Sequence, residues 1–300
     1  MKRTLAAFSA ALFTLSVALA PDGAAASAPD CDDQVVASAE QHGFARGDDE
    51  VKEPQLNEPT EPLPDGAKGK GSARSRATIP VWFHVVSLDG VVGNVSDKQI
   101  GDQIRVMDLA FSGVYGGVDT GFHFELVGVT RTTNAAWYYA GPGSPDERDM
   151  KRALSRGAPQ ALNYYSTTAG PYLGWSYFPG LKPSRMYLDG LVVDWESMLH
   201  TSDRYEGRYD LGLTAVHEAG HWFGLHHTFN GGCNNWGDYV ADTPAQRYPT
   251  SGCPIGKDTC PDPGVDPIHN YMDYSYDSCY FEFTAGQAQR AKDHFLYFRQ

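Results

Sequence analysis

The residues with the clearest chemical potential lie in one short stretch, in which His217 and His221 are four positions apart and Glu218 follows the first of them. Histidines spaced by four on a helix lie on the same face, so both imidazoles can reach one ion. Gly224 can end such a helix because glycine adopts the left-handed conformation without steric cost, and the chain can then bring His227 to the ion. Three imidazole nitrogens leave one coordination position open for water, which is typical of catalytic zinc sites.

This stretch and several segments around it resemble a known peptidase family. The spacing HExxHxxGxxH followed by a methionine turn resembles the metzincin zinc peptidases, and Asn270-Tyr271-Met272-Asp273-Tyr274 fits that turn. From about residue 78 onwards the chain is similar to the pappalysin family, the M43 peptidases, which include ulilysin-like bacterial enzymes. The further segments that carry this similarity are Leu173-Gly174-Trp175, Asp189-Gly190-Leu191-Val192-Val193, Gly231-Gly232-Cys233, Val240-Ala241-Asp242-Thr243-Pro244 and Asp258-Thr259-Cys260-Pro261.

The resemblance implies a role for each residue of the motif. Zinc would be bound by His217, His221 and His227. Glu218 would be the general base that takes a proton from zinc-activated water and later returns it to the leaving amine. His226 does not fit the ligand spacing, so we expect it to serve packing or to lie behind the ligands.

Three further expectations follow from the same resemblance. Met272 would form a hydrophobic floor under the zinc without binding it, and Tyr274 would stabilise the tetrahedral intermediate. A core methionine and a structural tyrosine are the alternatives at these two positions. Residues 173–178 match the edge strand that pairs with an extended substrate through main-chain hydrogen bonds.

The expected fold is the α+β metzincin zinc-peptidase fold: a twisted mixed sheet, a long active-site helix and an irregular, disulfide-stapled C-terminal subdomain. The catalytic domain would span residues 77–300, with its two subdomains meeting at about residues 227 and 228. Apolar residues alternate or cluster as in strands, or recur at helical spacing, and their order predicts a sheet with helices against one face. The predicted strands are 79–87, 121–130, 161–166, 173–178 and 188–193, and the predicted helices outside the motif are 96–111, 146–156 and 284–299.

Four of the five cysteines follow the zinc motif, and four cysteines allow three pairings among which sequence alone cannot choose. The resemblance implies the disulfides Cys233–Cys260 and Cys253–Cys279. A second zinc site is the alternative, although disulfides are the usual state of cysteine in an exported protein.

The same irregular segment is rich in oxygen ligands. Asp238, Asp242 and Thr243, with backbone carbonyls near Val240, could hold calcium, which takes about six to eight oxygen ligands. The resemblance to pappalysin-like enzymes implies a calcium ion here, and a solvated acidic loop is the alternative.

The first residues predict a secretory signal peptide over residues 1–26. The basic start Met1-Lys2-Arg3 precedes an apolar stretch over residues 5–20 and small residues over 24–28, which is the order of a cleavable leader. The alternative is an N-terminal membrane helix, but the apolar stretch is shorter than the ~20 residues that a span needs. We therefore expect a secreted, extracellular protein.

Residues 27–76 are predicted to form a removable pro-segment, because they are acidic, rich in proline and glycine and poor in aromatic residues. They end at Arg74-Ser75-Arg76, a basic site of the kind at which proteolytic nicking concentrates. The fifth cysteine, Cys31, could occupy the open position on zinc and keep a zymogen inactive, as in metzincins with a cysteine switch. A disordered tail that stays attached and an incidental thiol are the alternatives.

Composition and charge exclude some classes of function. The 300 residues contain 24 basic and 37 acidic side chains, for a net charge of −13. This balance argues against nucleic acid, whose binding proteins carry a basic surface, and leaves no basic helix for a membrane surface. We predict a secreted, monomeric zinc-dependent metalloendopeptidase that acts on polypeptides, is made as a zymogen and forms no stable membrane association.

Two other functional classes stay open at this point. One is a catalytically inactive secreted binding module on the same zinc scaffold, which would have no need of Glu218. The other is a thermolysin-like gluzincin, which needs a downstream glutamate ligand and no histidine at position 227.

Overall fold

The structure is a computed structural model that describes residues 76–234 and 237–300. The predicted signal peptide, the predicted pro-segment up to residue 75 and Cys31 lie outside the described residues. Within these two ranges the regular elements occur in the following order: β1 (Ala77–Ser87), α1 (Asp97–Phe111), β2 (Phe122–Thr133), α2 (Ala135–Tyr138), α3 (Pro145–Leu154), β3 (Leu162–Thr167), β4 (Gly174–Ser176), β5 (Leu191–Asp194), α4 (Leu213–Trp222) and α5 (Ala285–Phe298).

The five strands form one mixed sheet in the order β2-β1-β3-β5-β4. Strand β1 is parallel to both β2 and β3, and β3 is parallel to β5. Strand β4 is antiparallel to β5 and lies at the edge of the sheet. The mixed α+β architecture confirms the predicted fold class.

Helices cover both faces of this sheet. On one face, aromatic side chains of α1, α4 and α5 pack against the strands in the larger core. On the other face, Met150 and Leu154 of α3 pack with Tyr165, Trp175 and Val192. The expectation of helices against one face is therefore wrong. The narrow stripe formed by Met150 and Leu154, four residues apart, is enough to cover the second face of a sheet whose central strands are buried on both sides.

Local sequence explains where the helices begin. Ser96 accepts a hydrogen bond from the backbone of Gln99 while the Gln99 side chain accepts one from the Ser96 backbone, which forms a capping box at the start of α1. Thr284 and Gln287 form the same arrangement at the start of α5. Such boxes satisfy backbone donors that a helix N-terminus otherwise leaves without partners.

Some element bounds differ from those predicted. Strand β4 is shorter than residues 173–178, and β5 begins at Leu191 because Pro183–Leu188 forms a 3₁₀ turn and Gly190 has a φ of 110°. The short helix α2 was not predicted. It begins where the Asn134 side chain accepts a hydrogen bond from the Trp137 backbone.

The segment between α4 and α5 is irregular and cross-linked. Among its described residues the one helical element is the 3₁₀ turn Asp277–Cys279. Disulfide bonds join Cys233 to Cys260 and Cys253 to Cys279, which are the pairings that the family resemblance implied. Within the described parts of the chain, no helix has both the length and the apolar character needed to cross a bilayer.

The C-terminus is anchored to the end of α4 by a buried arginine. The Arg299 guanidinium lies 3.5 Å from the ring centroid of Trp222 and donates two hydrogen bonds to the Trp222 carbonyl oxygen. It also donates to both carboxylate oxygens of Asp189, at 2.9 and 3.1 Å. The Trp222 indole donates to the same carboxylate. This network ties α4 to the chain before β5.

We predict that Arg299→Met destabilises the fold by about 3–5 kcal/mol, because removal of one partner leaves a buried charge without its counter-ion. Urea denaturation of the purified protein measures this change. The matched control is Lys98→Met, which breaks the exposed ion pair with Asp102 and should change stability by less than about 1 kcal/mol. Equal losses in both variants would contradict the role of the buried pair.

Candidate active site

Helix α4 carries the motif and is bounded by two glycines in the left-handed region. Gly212, with a φ of 79°, precedes the helix, and its carbonyl accepts a hydrogen bond from the Gln103 side chain at 2.9 Å. Gly224, with a φ of 91°, follows it. A Cβ atom at Gly224 would also collide with the His294 imidazole. Helix α4 is therefore only ten residues long, and the chain reverses immediately after it.

Three histidine side chains converge after this reversal. The Nε2 atom of His221 lies 3.0 Å from Nε2 of His217 and 3.0 Å from Nε2 of His227. All three residues are buried. Among the histidine, cysteine and carboxylate side chains of the described residues, these three histidines have ligand atoms close enough to share a metal ion.

Hydrogen bonds to the Nδ1 atoms of two of these rings determine which ring nitrogen carries the proton. Nδ1 of His217 donates to the Tyr271 carbonyl at 2.6 Å, and Nδ1 of His221 donates to the Leu225 carbonyl at 2.7 Å. A carbonyl oxygen only accepts, so in their neutral form these two rings carry the proton on Nδ1 and point the Nε2 lone pair inwards. Lone pairs at this separation repel unless a cation lies between them. The donor set therefore fits a metal ion with an affinity for imidazole.

Glu218 lies against the edge strand β4. Glu218 is buried. A Cβ atom built on Gly174 would lie 3.0 Å from Oε1 of Glu218 and 2.8 Å from the Val192 carbonyl oxygen. Glycine at position 174 therefore lets the strand approach the Glu218 carboxylate closely.

Met272 packs against α4, and Tyr274 lies beside the histidines. Met272 is buried, and its sulfur would collide with any Cβ atom at Gly220 of α4. The Tyr274 ring centroid is 5.7 Å from that of His217 and 5.0 Å from that of His227. The turn that carries Met272 and Tyr274 thus contacts both chain segments that supply the cluster.

Asn270 orders this turn, a role that its position in the motif did not predict. Its amide exchanges two hydrogen bonds with the Gln287 amide, at 2.7 and 2.8 Å, and its oxygen accepts from the Met272 backbone at 3.0 Å. The turn is thereby joined to α5. The motif Asn270-Tyr271-Met272 indicated the turn itself, but it did not indicate that Asn270 pairs with the distant Gln287.

A cleft opens beside the cluster. Asp277, at one side of it, accepts hydrogen bonds from the backbone of Leu211 at 2.9 Å and of Leu213 at 3.5 Å. Burial raises the pKa of Asp277 to about 7, against the effect of these two hydrogen bonds. The cleft is lined by Leu173, Gly174, Tyr209, Leu213, Thr214, His217, Glu218, Asp273, Tyr274, Asp277 and Tyr280.

The remaining candidate residues lie outside the histidine cluster. His226 packs against Phe178 and Tyr239, with ring centroids 5.1 and 5.4 Å away. Asp238 accepts a hydrogen bond from the Thr243 hydroxyl at 2.7 Å, and that hydroxyl is 2.9 Å from the Val240 carbonyl oxygen.

Asp242 contacts a different element. Its carboxylate accepts hydrogen bonds from the Thr284 hydroxyl at 2.7 Å and from the Gly286 backbone at 2.8 Å, at the N-terminus of α5. The calcium candidates therefore divide between a compact group around Asp238 and a helix cap at Asp242.

Comparisons with known proteins agree with this geometry. A family model described as peptidase M43, pregnancy-associated plasma protein-A, matches residues 191–295, which contain the three histidines and Met272. An extracellular metalloprotease of Colletotrichum graminicola is 45% identical over 235 residues, which are 76% of this chain and 79% of that protein.

Solved structures show the same architecture. Mature mirolysin of Tannerella forsythia in complex with a cleaved peptide has a TM-score of 0.62 and 28% identity, over 75% of this chain and 96% of that chain. A promirolysin mutant of the same organism has a TM-score of 0.65 and 27% identity, over 77% of this chain and 84% of that chain. The fold, the arrangement of the histidines and these relatives together show that the chain belongs to the pappalysin, or M43, family of metzincin-type metallopeptidases.

Proposed function

We propose that the protein is a secreted, monomeric zinc endopeptidase that hydrolyses peptide bonds in polypeptides. The observation that carries this proposal is the convergence of His217, His221 and His227 beside Glu218 in an open cleft. A histidine as the third member of the cluster favours a metzincin site over a thermolysin-like one. Imidazole nitrogens suit zinc among the available divalent ions.

Backbone groups pre-organise the histidines for binding this ion. The carbonyls of Tyr271 and Leu225 hold two rings in one tautomer and orientation, as backbone carbonyls commonly do behind metal ligands. When bound, zinc supplies Lewis-acid chemistry, which lowers the pKa of water and polarises a peptide carbonyl. Met272 supports the helix from below through its contact with Gly220.

Glu218 is the proposed general base and acid. It follows the first ligand on α4 and lines the cleft with Gly174 of the edge strand. In this position its carboxylate can take a proton from attacking water and deliver it to the leaving nitrogen. Tyr274, which also lines the cleft, is the proposed donor that stabilises negative charge on the carbonyl oxygen.

The edge strand supplies the proposed substrate contact. Strand β4 pairs with β5 on one side, and Leu173 and Gly174 line the cleft. An extended peptide can add to such an edge through main-chain hydrogen bonds. The relative mirolysin has been solved with a cleaved peptide, which supports polypeptides as the substrate class.

We predict that Glu218→Gln retains one zinc per chain and the folded state but lowers kcat by about 10²–10⁴-fold, the usual contribution of general acid–base catalysis. Zinc content by mass spectrometry and turnover of a fluorogenic peptide measure the two effects. The matched control Glu125→Gln alters an exposed carboxylate outside the cleft and should leave both unchanged. Unchanged proteolysis by the zinc-loaded Glu218→Gln protein would contradict the assigned role and leave a binding module to be considered.

Export and latency form a separate part of the proposal. We infer that residues 1–26 direct secretion and are removed, and that residues 27–76 form an inhibitory pro-segment in which Cys31 occupies the open position on the metal. The description of curated relatives as extracellular metalloproteases supports export. The existence of a pro-form of mirolysin supports latency.

We predict that Cys31→Ser makes the precursor active before the pro-segment is cleaved, because a hydroxyl is a much weaker zinc ligand than a thiolate. Peptidase activity of the uncleaved precursor, whose length is verified by intact mass, measures this change. The control is Ser38→Ala in the same segment. A Cys31→Ser precursor as latent as the wild type would exclude the cysteine switch.

We further propose that calcium binds near Asp238. The Thr243 hydroxyl has one proton but lies within hydrogen-bond distance of two acceptors, Asp238 and the Val240 carbonyl, and such a group of oxygens suits calcium. Burial raises the pKa of Asp238 to about 6, and a bound cation would offset the cost of the buried negative charge.

Calcium at about 100 times its Kd should raise the Tm by about 5–10 °C. The rise should be lost in Asp238→Asn and kept in Asp258→Asn, which alters an exposed aspartate of the same irregular segment. Differential scanning calorimetry of the zinc-loaded protein, with and without calcium, tests this. A shift that persists in Asp238→Asn would place the ion elsewhere.

A further inference from the structure

A buried ion pair lies under the edge strand, on the face of the sheet opposite α4. Glu147 and Lys151 are one turn apart on α3, and neither side chain is exposed. Lys151 Nζ is 3.1 Å from Oε1 of Glu147 and donates to the Leu188 carbonyl at 2.9 Å. The ammonium also lies 4.6 Å from the ring centroid of Tyr177. The pair is therefore enclosed by the smaller core rather than by solvent.

The Glu147 carboxylate holds the edge strand through one side chain of β4 and one that directly follows it. The Trp175 indole donates to Oε1 at 2.8 Å, and the Tyr177 hydroxyl donates to Oε2 at 3.0 Å. The Gly143 backbone donates to Oε2 at 2.6 Å. Trp175 and Tyr177 are two positions apart, so they leave the chain on the same side of an extended strand. Glu147 thus binds Trp175 of β4 and Tyr177, the residue that directly follows the strand.

The other face of the same strand meets the proposed catalytic glutamate. Gly174 alternates with Trp175 and approaches Glu218 so closely that a Cβ atom there would lie 3.0 Å from Oε1. The strand has three residues and is paired with β5 alone. A ladder this short gives few backbone hydrogen bonds to determine the position of the strand. Side-chain anchors on the face that meets Glu147 must therefore help to fix the position of the strand.

Electrostatics keep this anchor in its ionised form. Burial acts to raise the pKa of Glu147, but the Lys151 charge and the hydrogen bonds from Trp175 and Gly143 outweigh it and hold the pKa below its usual value. A carboxylate can accept all of these bonds at once, whereas a neutral acid would lose acceptor capacity. Buried ion pairs usually add little stability compared with apolar residues of the same volume. Fixing the geometry of β4 is a use for this pair that does not depend on net stabilisation.

We propose that Glu147, held by Lys151, is a positioning residue for substrate binding. It fixes the edge strand β4 in the position at which an extended peptide can pair with the strand beside Glu218. This inference rests on the proposed peptidase function. It predicts that loss of the anchor weakens the contribution of each additional substrate residue that pairs with β4.

The experiment compares peptides of increasing length, extended by single residues on either side of one cleaved bond. In the wild type, kcat/KM should rise with length as pairing with the edge strand is completed. In Tyr177→Phe, which removes one hydroxyl donor, and in Glu147→Gln/Lys151→Met, which replaces both charges together, the long-to-short ratio of kcat/KM should fall. We expect about a tenfold fall in the double variant, the usual effect of losing a hydrogen bond to a charged group, and it should lie mainly in KM.

The control is Asp149→Asn, which alters an exposed residue of the same helix and should keep the wild-type ratio. Rates are expressed per zinc-loaded active site, so a loss of folded enzyme lowers long and short peptides equally. A double variant with the wild-type ratio would overturn the positioning role. A wild-type enzyme that cleaves no peptide would instead overturn the proposed function on which the inference rests.

Discussion

The structure depends on the convergence of the imidazole nitrogens of His217, His221 and His227 on one point. His217 and His221 are committed to backbone carbonyls through Nδ1, so their Nε2 lone pairs meet at 3.0 Å, and that of His221 lies as close to His227. Such a cluster is unfavourable on its own and becomes favourable only around a cation. Much of the surrounding chain serves to hold the three rings in this arrangement despite its intrinsic cost.

The glycines show how this is achieved. Gly224 ends α4 in the left-handed region and so returns His227 to the helix, and Gly220 lets Met272 pack directly beneath it. The turn that contains Met272 also supplies the Tyr271 carbonyl, which orients His217. Its own shape depends on the Asn270–Gln287 amide pair, which reaches α5. The histidine cluster is therefore coupled to the C-terminal helix through a short series of hydrogen bonds.

The convergence of the three histidines could be predicted from sequence because their spacing is local. Positions 217, 218, 221, 224 and 227 lie within a few turns of chain, and helix geometry alone brings the first histidines together. The start of α1 could also be predicted, since its capping box joins Ser96 to a residue three positions away. Local patterns of this kind need no knowledge of tertiary structure.

The contacts that depend on distant residues could not be predicted in the same way. The placement of α3 on the second face of the sheet follows from packing with Trp175 and Val192, which are remote in sequence. In the sequence, Glu147 looks like an ordinary surface residue of a short helix. Its partners, Trp175 on the edge strand and Tyr177 directly after it, follow some thirty positions later. The sequence contains the right residue types, but which of them meet is determined by the order of strands in the sheet.

Zinc K-edge X-ray absorption on the purified protein tests the three-histidine centre most directly. We expect one zinc per chain with three imidazole nitrogens at about 2.0–2.1 Å and one further light ligand. In His227→Asn the imidazole count should fall and zinc affinity should drop, whereas His226→Asn should keep the wild-type spectrum. Two imidazoles and a carboxylate in the wild type, or an unchanged spectrum in His227→Asn, would contradict the metzincin centre described above.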